Sequence, residues 1–238
     1  MAALPKNLRT RGRAMVFLGV CILSTACATK PVLYQDLPSS AHLRSTSARV
    51  DDERVAFNTD LKPGDLNAYA SIIMEPARIY RGRDGQFGNL SEQSRAELAR
   101  HADHHFNREL ARRHLLVALA SKGSLRMRVT ITGAQGSIPV IATATKLTPV
   151  GLALSGLRFI RDKEGNFSGA VMYAVELFDA GTGKLVYAFV TRQYPNALNI
   201  PATILPLGAA KAGIERGAST AAAALKALMA PEHRSSRG

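Results

Sequence analysis

A basic segment followed by a short apolar run opens the chain, and it limits how much of the sequence is left to fold. Lys6, Arg9, Arg11 and Arg13 precede the uncharged run 14–23, AMVFLGVCIL. A helix of these ten residues, rising ~1.5 Å per residue, is too short to cross a hydrocarbon core of ~30 Å. Its length is typical of the apolar part of a secretory signal peptide. We therefore expect this segment to direct export and to be absent from the mature fold.

Small residues lead from this run to a cysteine. Residues 24–26 (STA) precede Cys27, and the arrangement resembles the bacterial lipobox, in which the cysteine thiol accepts a diacylglycerol. The aliphatic residue usual three positions before the cysteine is replaced by Ser24, with Leu23 one position further back. The resemblance implies a signal peptide of residues 1–26 and a lipid on Cys27. Two alternatives stay open: cleavage after the A-x-A tripeptide 26–28, which leaves a secreted protein without lipid, or an uncleaved anchor.

A lipid on Cys27 would make a membrane the first partner of this chain. Acyl chains contribute ~0.8 kcal/mol per buried methylene, so two or three chains on one cysteine make release from a bilayer negligible. The next residue is Ala28 and not aspartate. By resemblance to the sorting rule of enteric lipoproteins, this implies the outer membrane, with the protein facing the periplasm. A protein of the envelope is the other partner that we expect.

Cysteine content and charge exclude several classes of protein. The only cysteines are Cys21, inside the signal, and Cys27, so a disulfide framework is excluded. Removing the four basic residues of the signal from 31 leaves 27, against 18 acidic residues, a net charge of +9. Such charge would suit nucleic acid in the cytoplasm, but export removes that partner. The charge then serves solubility or attracts anionic headgroups, lipopolysaccharide phosphates or peptidoglycan carboxylates.

Composition also divides the mature chain. Residues 27–60 mix Pro, Ser, Thr and Ala with little periodicity, which predicts a flexible tether behind the lipid. Residues 50–59 alternatively form a short edge strand. The turn signal 63–65 (PGD) marks the start of one folded domain, residues 61–230. The tail 231–238 is predicted to be disordered.

Hydrophobic periodicity predicts the elements of this domain. We expect a first strand at 68–80 that Pro76 places at an edge or interrupts. The other predicted elements are helices at 91–114 and 207–229, strands at 114–120 and 125–132, and a hairpin of strands 168–179 and 184–194. This order indicates an α+β fold, a two-layer sandwich with a mixed, mostly antiparallel sheet and two main helices on one face.

Three blocks of sequence carry a family resemblance. They are 74–76 (MEP), 123–132 (GSLRMRVTIT) and 175–185, the last with Glu176 and Asp179. In this order behind a lipobox, they resemble a family of bacterial lipoproteins known only as domain-of-unknown-function family 3313. The resemblance implies the fold and the envelope location but no activity.

Three histidines on the first helix are the most prominent candidates for a metal site. His101, His104 and His105 are spaced so that their side chains approach one another on a helix, and zinc commonly binds imidazole. The helical wheel, however, places His101 opposite the apolar stripe that contains Phe106 and Leu110, with the other two histidines beside that stripe. We therefore expect solvent-exposed histidines and no metal site.

Other candidate catalytic residues fit structural roles. Glu176 and Asp179 lie three apart on a strand and its turn, hence on opposite faces, which excludes a shared acid/base role. Asp179 is predicted to accept hydrogen bonds from turn amides. A strand follows the glycines of 181–183, so they do not form a phosphate cradle. Ser155 lacks the first glycine of a nucleophile elbow. We expect neither enzyme activity nor a cofactor.

Small residues and apolar loops complete the candidates. Gly213, Gly217 and Ala221 recur at every fourth position, which favours a helix lying tightly on its sheet over a helix–helix contact. Loops 138–160 and 195–206 are apolar and irregular, and either cover the core or bind an amphiphile such as a phospholipid. The leading hypothesis is a non-catalytic accessory or interaction module of the envelope, and amphiphile binding is the alternative. A periplasmic hydrolase, the third hypothesis, would require titratable groups converging in a cleft.

Overall fold

A single sheet and two long helices make up the part of the chain that the computed structural model describes, residues 31–46, 55–59, 65–135, 169–194 and 207–230. The strands are β1 (Arg44–Ser45), β2 (Val55–Asn58), β3 (Ser71–Met74), β4 (Arg78–Ile79), β5 (Ser124–Gln135), β6 (Ala170–Asp179) and β7 (Leu185–Gln193). The helices are α1 (Glu92–Arg112) and α2 (Gly208–Leu228). The predicted α+β class is confirmed.

The sheet is mixed and mostly antiparallel, as predicted. Its order is β1-β2-β7-β6-β5-β3, with β4 also paired to β5. The long strands β5, β6 and β7 form its antiparallel centre, and β3 and β4 run parallel to β5. Pro76 lies between β3 and β4, where its missing N–H removes one donor from the ladder. The predicted interruption of the first strand is confirmed.

Both helices pack on one face of the sheet. Helix α1 contacts β3, β4 and β5, α2 contacts β6 and β7, and the helices also contact each other. The rings of Phe106 on α1 and Tyr173 on β6 meet edge to face, 5.8 Å apart. A Cβ on Gly217 would overlap the Tyr173 hydroxyl, and one on Gly213 would lie 3.0 Å from the Gln193 carbonyl oxygen. The close fit of a small-residue helix on its sheet is confirmed.

Local signals define the two ends of α1. The Ser91 hydroxyl accepts the amide of Ser94 at 3.2 Å, which satisfies one of the amides that have no partner inside a helix. At the other end His114 adopts a φ of 56°, and the amide of Leu115 returns to the carbonyl of Leu110 at 3.0 Å. This left-handed residue ends the helix.

The strand predicted at 114–120 is wrong. Leu116 forms one isolated parallel bridge with Ile72 of β3, and no ladder develops from it. Leu119 is 82% exposed, so the apolar composition that suggested a strand does not reflect burial. The pattern of a short apolar run does not distinguish a strand from a covered loop.

The N-terminal segment, residues 31–46, covers the face of the sheet opposite the helices. Side chains alternate along a strand, so Met172 and Glu176 of β6 point away from the helix layer. The hydroxyl of Tyr34 lies 3.9 Å from the sulfur of Met172. The amide of Ser39 donates to Glu176 Oε1 at 2.8 Å. The second face of the sheet is therefore covered by the chain's own amino-terminal residues.

This packing corrects the tether predicted over residues 27–60. Tyr34, Leu37 and Leu43 are buried in the core, and β1 and β2 extend the sheet beyond β7. The flexible-tether prediction is wrong for the described parts of that range. Tyr34 and Leu37 lie three apart, but Leu43 is six residues further on, so no helical or strand period repeats and periodicity could not identify them.

Among the described residues, no helix combines the length and apolar character needed to cross a bilayer. Residues 1–30, which include Cys27, lie outside the described ranges, as do the loops 138–160 and 195–206 and the tail 231–238. The predictions made for these stretches stay predictions.

Candidate functional site

The first candidate feature is the point where the amino-terminal chain joins the fold. Tyr34 is fully buried, and its hydroxyl donates to Gln86 Oε1 at 2.9 Å. Its ring meets the ring of Tyr80 edge to face, 5.2 Å apart. The next amide, that of Gln35, donates to Asp84 Oδ2 at 2.9 Å. Cys27 precedes this attachment point by seven residues in the sequence.

A network of charged groups lies at the end of β3, on the face away from the helices. Glu75 accepts hydrogen bonds from Arg128 at 2.8 Å and from Arg78 at 3.1 Å. The guanidinium of Arg126 lies 3.4 Å from the same carboxylate. Burial alone would raise the pKa of Glu75, but the hydrogen bond and charge of Arg128 lower it. The carboxylate is held ionised by three guanidinium groups, which suits a structural ion pair and not a general acid.

Glu176 is the one fully buried carboxyl group on this face among the described residues. Burial raises its pKa, against the hydrogen bonds from Ser39 and the charge of Arg128, while the charge of Glu75 acts in the same direction as burial. Its Oε2 has no hydrogen-bond partner among the described residues. Since the N-terminal segment covers this carboxyl group, it has no open path to a substrate.

Asp179 closes the hairpin between β6 and β7. Its Oδ1 accepts the amides of Gly181 and Thr182 at 3.1 and 2.6 Å, and Gly183 adopts a φ of 72°, a conformation that favours glycine. The hydrogen bonds from Thr182 lower the pKa of Asp179. The predicted turn role of Asp179 is confirmed, and Glu176 and Asp179 do not converge on one site.

A histidine cluster lies between the two helices. His101 and His105, one turn apart on α1, face Glu215 of α2. His101 Nε2 lies 3.1 Å from Glu215 Oε1, and His105 Nε2 lies 3.7 Å from the same oxygen. The two imidazole rings are 4.2 Å apart. One nitrogen from each histidine and one carboxylate oxygen all lie within 4.8 Å of one another.

The prediction of solvent-exposed histidines is wrong for two of the three. His105 is only 7% exposed and the His101 side chain 20%, whereas His104 is exposed as predicted. The helical wheel identified the side of α1 that contacts the sheet. It could not reveal that α2 lies alongside α1 and covers an adjacent side. The four-residue spacing of His101 and His105 indicates that these two side chains approach each other. Glu215 lies 114 residues from His101 in the sequence, so no local pattern could connect it to them.

The surroundings of the cluster favour the neutral form of both imidazoles. Burial lowers the pKa of His101 and of His105, although the Glu215 carboxylate acts in the opposite direction on each. Neutral imidazole has a lone pair on one nitrogen, and with a carboxylate it provides the ligand types of many divalent transition-metal sites. Such groups also exchange protons, but Glu75 and Glu176 lie on the other face of the sheet. These two carboxylates therefore do not join the histidine cluster.

An open groove of about 450 Å³ runs beside α1. Asp103 accepts the amide of Ala77 at 2.7 Å, which fixes the loop between β3 and β4 against the helix. The groove is lined by Met74, Pro76, Arg100, Asp103, His104 and Asn107. Its lining therefore combines two apolar residues with four polar ones, and the exposed His104 is the only histidine among them.

Comparisons with known proteins give one family and several weak structural likenesses, three of which follow. The family model described as Protein of unknown function (DUF3313) matches residues 33–221. The PelC dodecamer from Paraburkholderia phytofirmans is 11% identical, with a TM-score of 0.38, over 74% of this chain and 96% of that chain. A single-substitution variant of the same PelC is 10% identical, with a TM-score of 0.34 and the same coverage. A presumed lipoprotein from Caulobacter crescentus CB15 is 19% identical, with a TM-score of 0.28, over 70% and 92%. No curated protein matches the chain. TM-scores this low leave the function to be argued from the chain's own residues.

Proposed function

This chain belongs to the DUF3313 family of proteins of unknown function, and on that premise we propose that it is a lipoprotein of the cell envelope. A lipid on Cys27 holds it to a membrane, and the folded part is a non-catalytic interaction module. Ala28 after the cysteine favours the outer membrane, with the module in the periplasm.

The observation that carries this proposal is the short distance in sequence between the lipobox and the core. Seven residues separate Cys27 from the fully buried Tyr34. Fully extended, they reach at most about 25 Å, since each residue spans about 3.3–3.6 Å. A lipid at Cys27 would therefore keep the module against the bilayer surface.

The charge around the attachment point supports the same orientation. Arg81 and Arg83 are exposed and belong to the loop whose Asp84 accepts the amide of Gln35. Anionic headgroups attract basic side chains within about one Debye length of the surface. A module held at Tyr34 would present these two arginines to the headgroups.

The contacts made by three carboxyl groups, those of Glu75, Glu176 and Asp179, support a non-catalytic role. Glu75 is engaged by arginines, Glu176 accepts the amide of Ser39 under the N-terminal segment, and Asp179 accepts turn amides. Each of these contacts stabilises the fold. We propose a second envelope protein as the partner, docked in the groove beside α1.

Acylation is tested by comparing the full-length wild type with Cys27→Ala and Cys21→Ala in a bacterial host fed with an alkyne fatty acid. We expect the wild type and Cys21→Ala to take up the label and to sediment with membranes, because Cys21 leaves with the signal. Cys27→Ala should lose the label. Label retained by Cys27→Ala, or an unmodified wild-type protein beginning at Thr29, would contradict the proposal.

The partner is tested with a photo-crosslinking amino acid. Placed at Arg100 or His104 beside the groove, it should capture a discrete envelope protein in cells. Lys226, exposed near the end of α2, is the control position and should capture none. Capture of no neighbour from either groove position would contradict the interaction role.

One observation favours amphiphile binding as a second function. The described residues that flank the loops 138–160 and 195–206 include Gln135, which pairs with Ala170. They also include Gln193, which pairs with Val171. Tyr34 contacts Met172, the next residue of β6. These flanking residues therefore lie at the sheet end at which the amino-terminal chain attaches and the membrane is expected.

This second function is tested with unlipidated protein and phospholipid vesicles. Leu152→Glu, in the first apolar loop, should reduce co-sedimentation with the vesicles. Thr145→Glu adds the same charge at a polar position of that loop and should have a smaller effect. Equal binding by both variants and the unsubstituted protein would exclude the loop as a lipid contact.

A further inference from the structure

We propose that His101, His105 and Glu215 bind a divalent transition-metal ion between the two helices, with Zn²⁺ as the expected occupant. The site lies on the helix layer and is independent of the lipid on Cys27. It goes beyond the proposed function, which involves none of these three residues.

The spacing of the ligand atoms fits a single ion. In a tetrahedral zinc site with bonds of about 2.0–2.1 Å, two ligand atoms lie about 3.3 Å apart. Here the carboxylate oxygen lies 3.1 Å from one histidine nitrogen and 3.7 Å from the other. All three ligand atoms lie within 4.8 Å of one another, so rotation of the two imidazoles toward each other would bring them around one ion.

The hydrogen bonding of His105 is the second observation. Only 7% of His105 is exposed, yet its imidazole makes no hydrogen bond within the described part of the chain. Its Nδ1 has no partner there, and its Nε2 is 3.7 Å from Glu215, beyond hydrogen-bonding distance. A buried polar group without a partner is uncommon and costly. A metal ion between the three side chains would give the imidazole a partner at Nε2 and fix its proton on Nδ1, whose own partner is not among the described residues.

The surroundings leave the site able to accept a cation. Lys211, one turn before Glu215 on α2, is paired with Glu97 of α1 at 2.5 Å. Arg108, one turn from His104, lies 3.4 Å from the carboxylate of Glu109. The pairing with Glu97 compensates the charge of Lys211, whereas Arg108 shares the Glu109 carboxylate with Arg112 and Arg113. The carboxylate of Glu215, 47% exposed, gives the ion an approach from solvent.

The ligand set indicates the class of metal. Two imidazoles and one carboxylate suit zinc and its neighbours in the transition series, while magnesium and calcium prefer oxygen ligands. Three protein ligands leave at least one coordination position for water. Since the ligands come from both helices, the bound ion would join α1 to α2 directly.

The test uses the full-length processed protein, purified in mild detergent and freed of metal with a chelator. Zn²⁺ is titrated against a competing indicator, and Co²⁺ is added separately to report coordination by its visible spectrum. We expect one Zn²⁺ per chain and a cobalt spectrum typical of four or five ligands. A wild type that binds no stoichiometric Zn²⁺ would overturn the proposal.

Three variants locate the binding. His101→Ala and Glu215→Gln should each weaken Zn²⁺ binding at least about tenfold, since loss of even a supporting contact costs 10–100-fold in metal sites. His104→Ala, on the same helix but exposed in the groove, should bind as the wild type does. Circular dichroism checks that each variant retains its helices, and Glu215→Gln changes only an exposed side chain. Unchanged affinity in His101→Ala and Glu215→Gln, or an equal loss in His104→Ala, would overturn the assignment.

Discussion

Replacing Tyr34 by alanine would remove the first large side chain that attaches the amino-terminal chain to the fold. The Tyr34 ring is fully buried and packs edge to face on Tyr80. Its hydroxyl donates to Gln86 at 2.9 Å. If the N-terminal segment is part of the folded unit, this substitution must lower the free energy of unfolding of the whole domain.

The expected loss has two parts. Truncating a buried aromatic side chain to alanine costs about 3–5 kcal/mol, from lost transfer free energy and the cavity left behind. The hydrogen bond of the hydroxyl contributes about 0.5–1.5 kcal/mol. Tyr34→Phe removes only that second part and should cost about 1 kcal/mol. Tyr34→Ala should therefore destabilise the protein several times more than Tyr34→Phe.

Urea denaturation, followed by far-ultraviolet circular dichroism, measures both losses. Leu33→Ala is the matched control, because Leu33 is the preceding residue and 43% exposed. It should change the free energy of unfolding by less than about 0.5 kcal/mol, as surface substitutions usually do. A Tyr34→Ala protein as stable as Leu33→Ala would refute the packing of this segment and restore a tether of unfolded chain.

Three further predictions address other parts of the molecule. Burial raises the pKa of Glu176, so the wild type should lose stability as the pH rises from the ordinary glutamate pKa through the raised value. Glu176→Gln should lack that loss when denaturation is compared between about pH 4 and 8. Gly217→Ala should destabilise by about 1–3 kcal/mol in thermal denaturation, despite a gain of about 1 kcal/mol in helix propensity, because the new Cβ overlaps the Tyr173 hydroxyl. The exposed Thr220→Ala should show only the gain in propensity. Ala28→Asp should move the protein to the inner-membrane fraction of a density gradient, while Ala28→Ser should not.

The candidate sites differ in whether the residues that form them lie close together in the sequence. The turn role of Asp179 was predictable because its partners, Gly181 and Thr182, lie within three residues. The lipidation of Cys27 is predicted in the same way, from the residues that precede it, and stays a prediction. Only part of the histidine cluster could be predicted. The sequence places His101 and His105 one turn apart on a helix but does not indicate which residue of α2 lies opposite them.

By itself, the sequence determined the elements that depend on neighbours along the chain. Alternating apolar residues predict β5, and apolar runs on either side of a glycine-containing turn predict the hairpin of β6 and β7. Apolar residues at helical spacing predict both helices, and Pro76 marks the interruption, because backbone geometry imposes such patterns locally. Tertiary structure alone decided what covers each face of the sheet. The composition of the N-terminal segment predicts a tether, although its Ser39 amide donates to Glu176, 137 residues away in the sequence. Contacts at such separations depend on how whole layers pack, and no local pattern of residues records that choice.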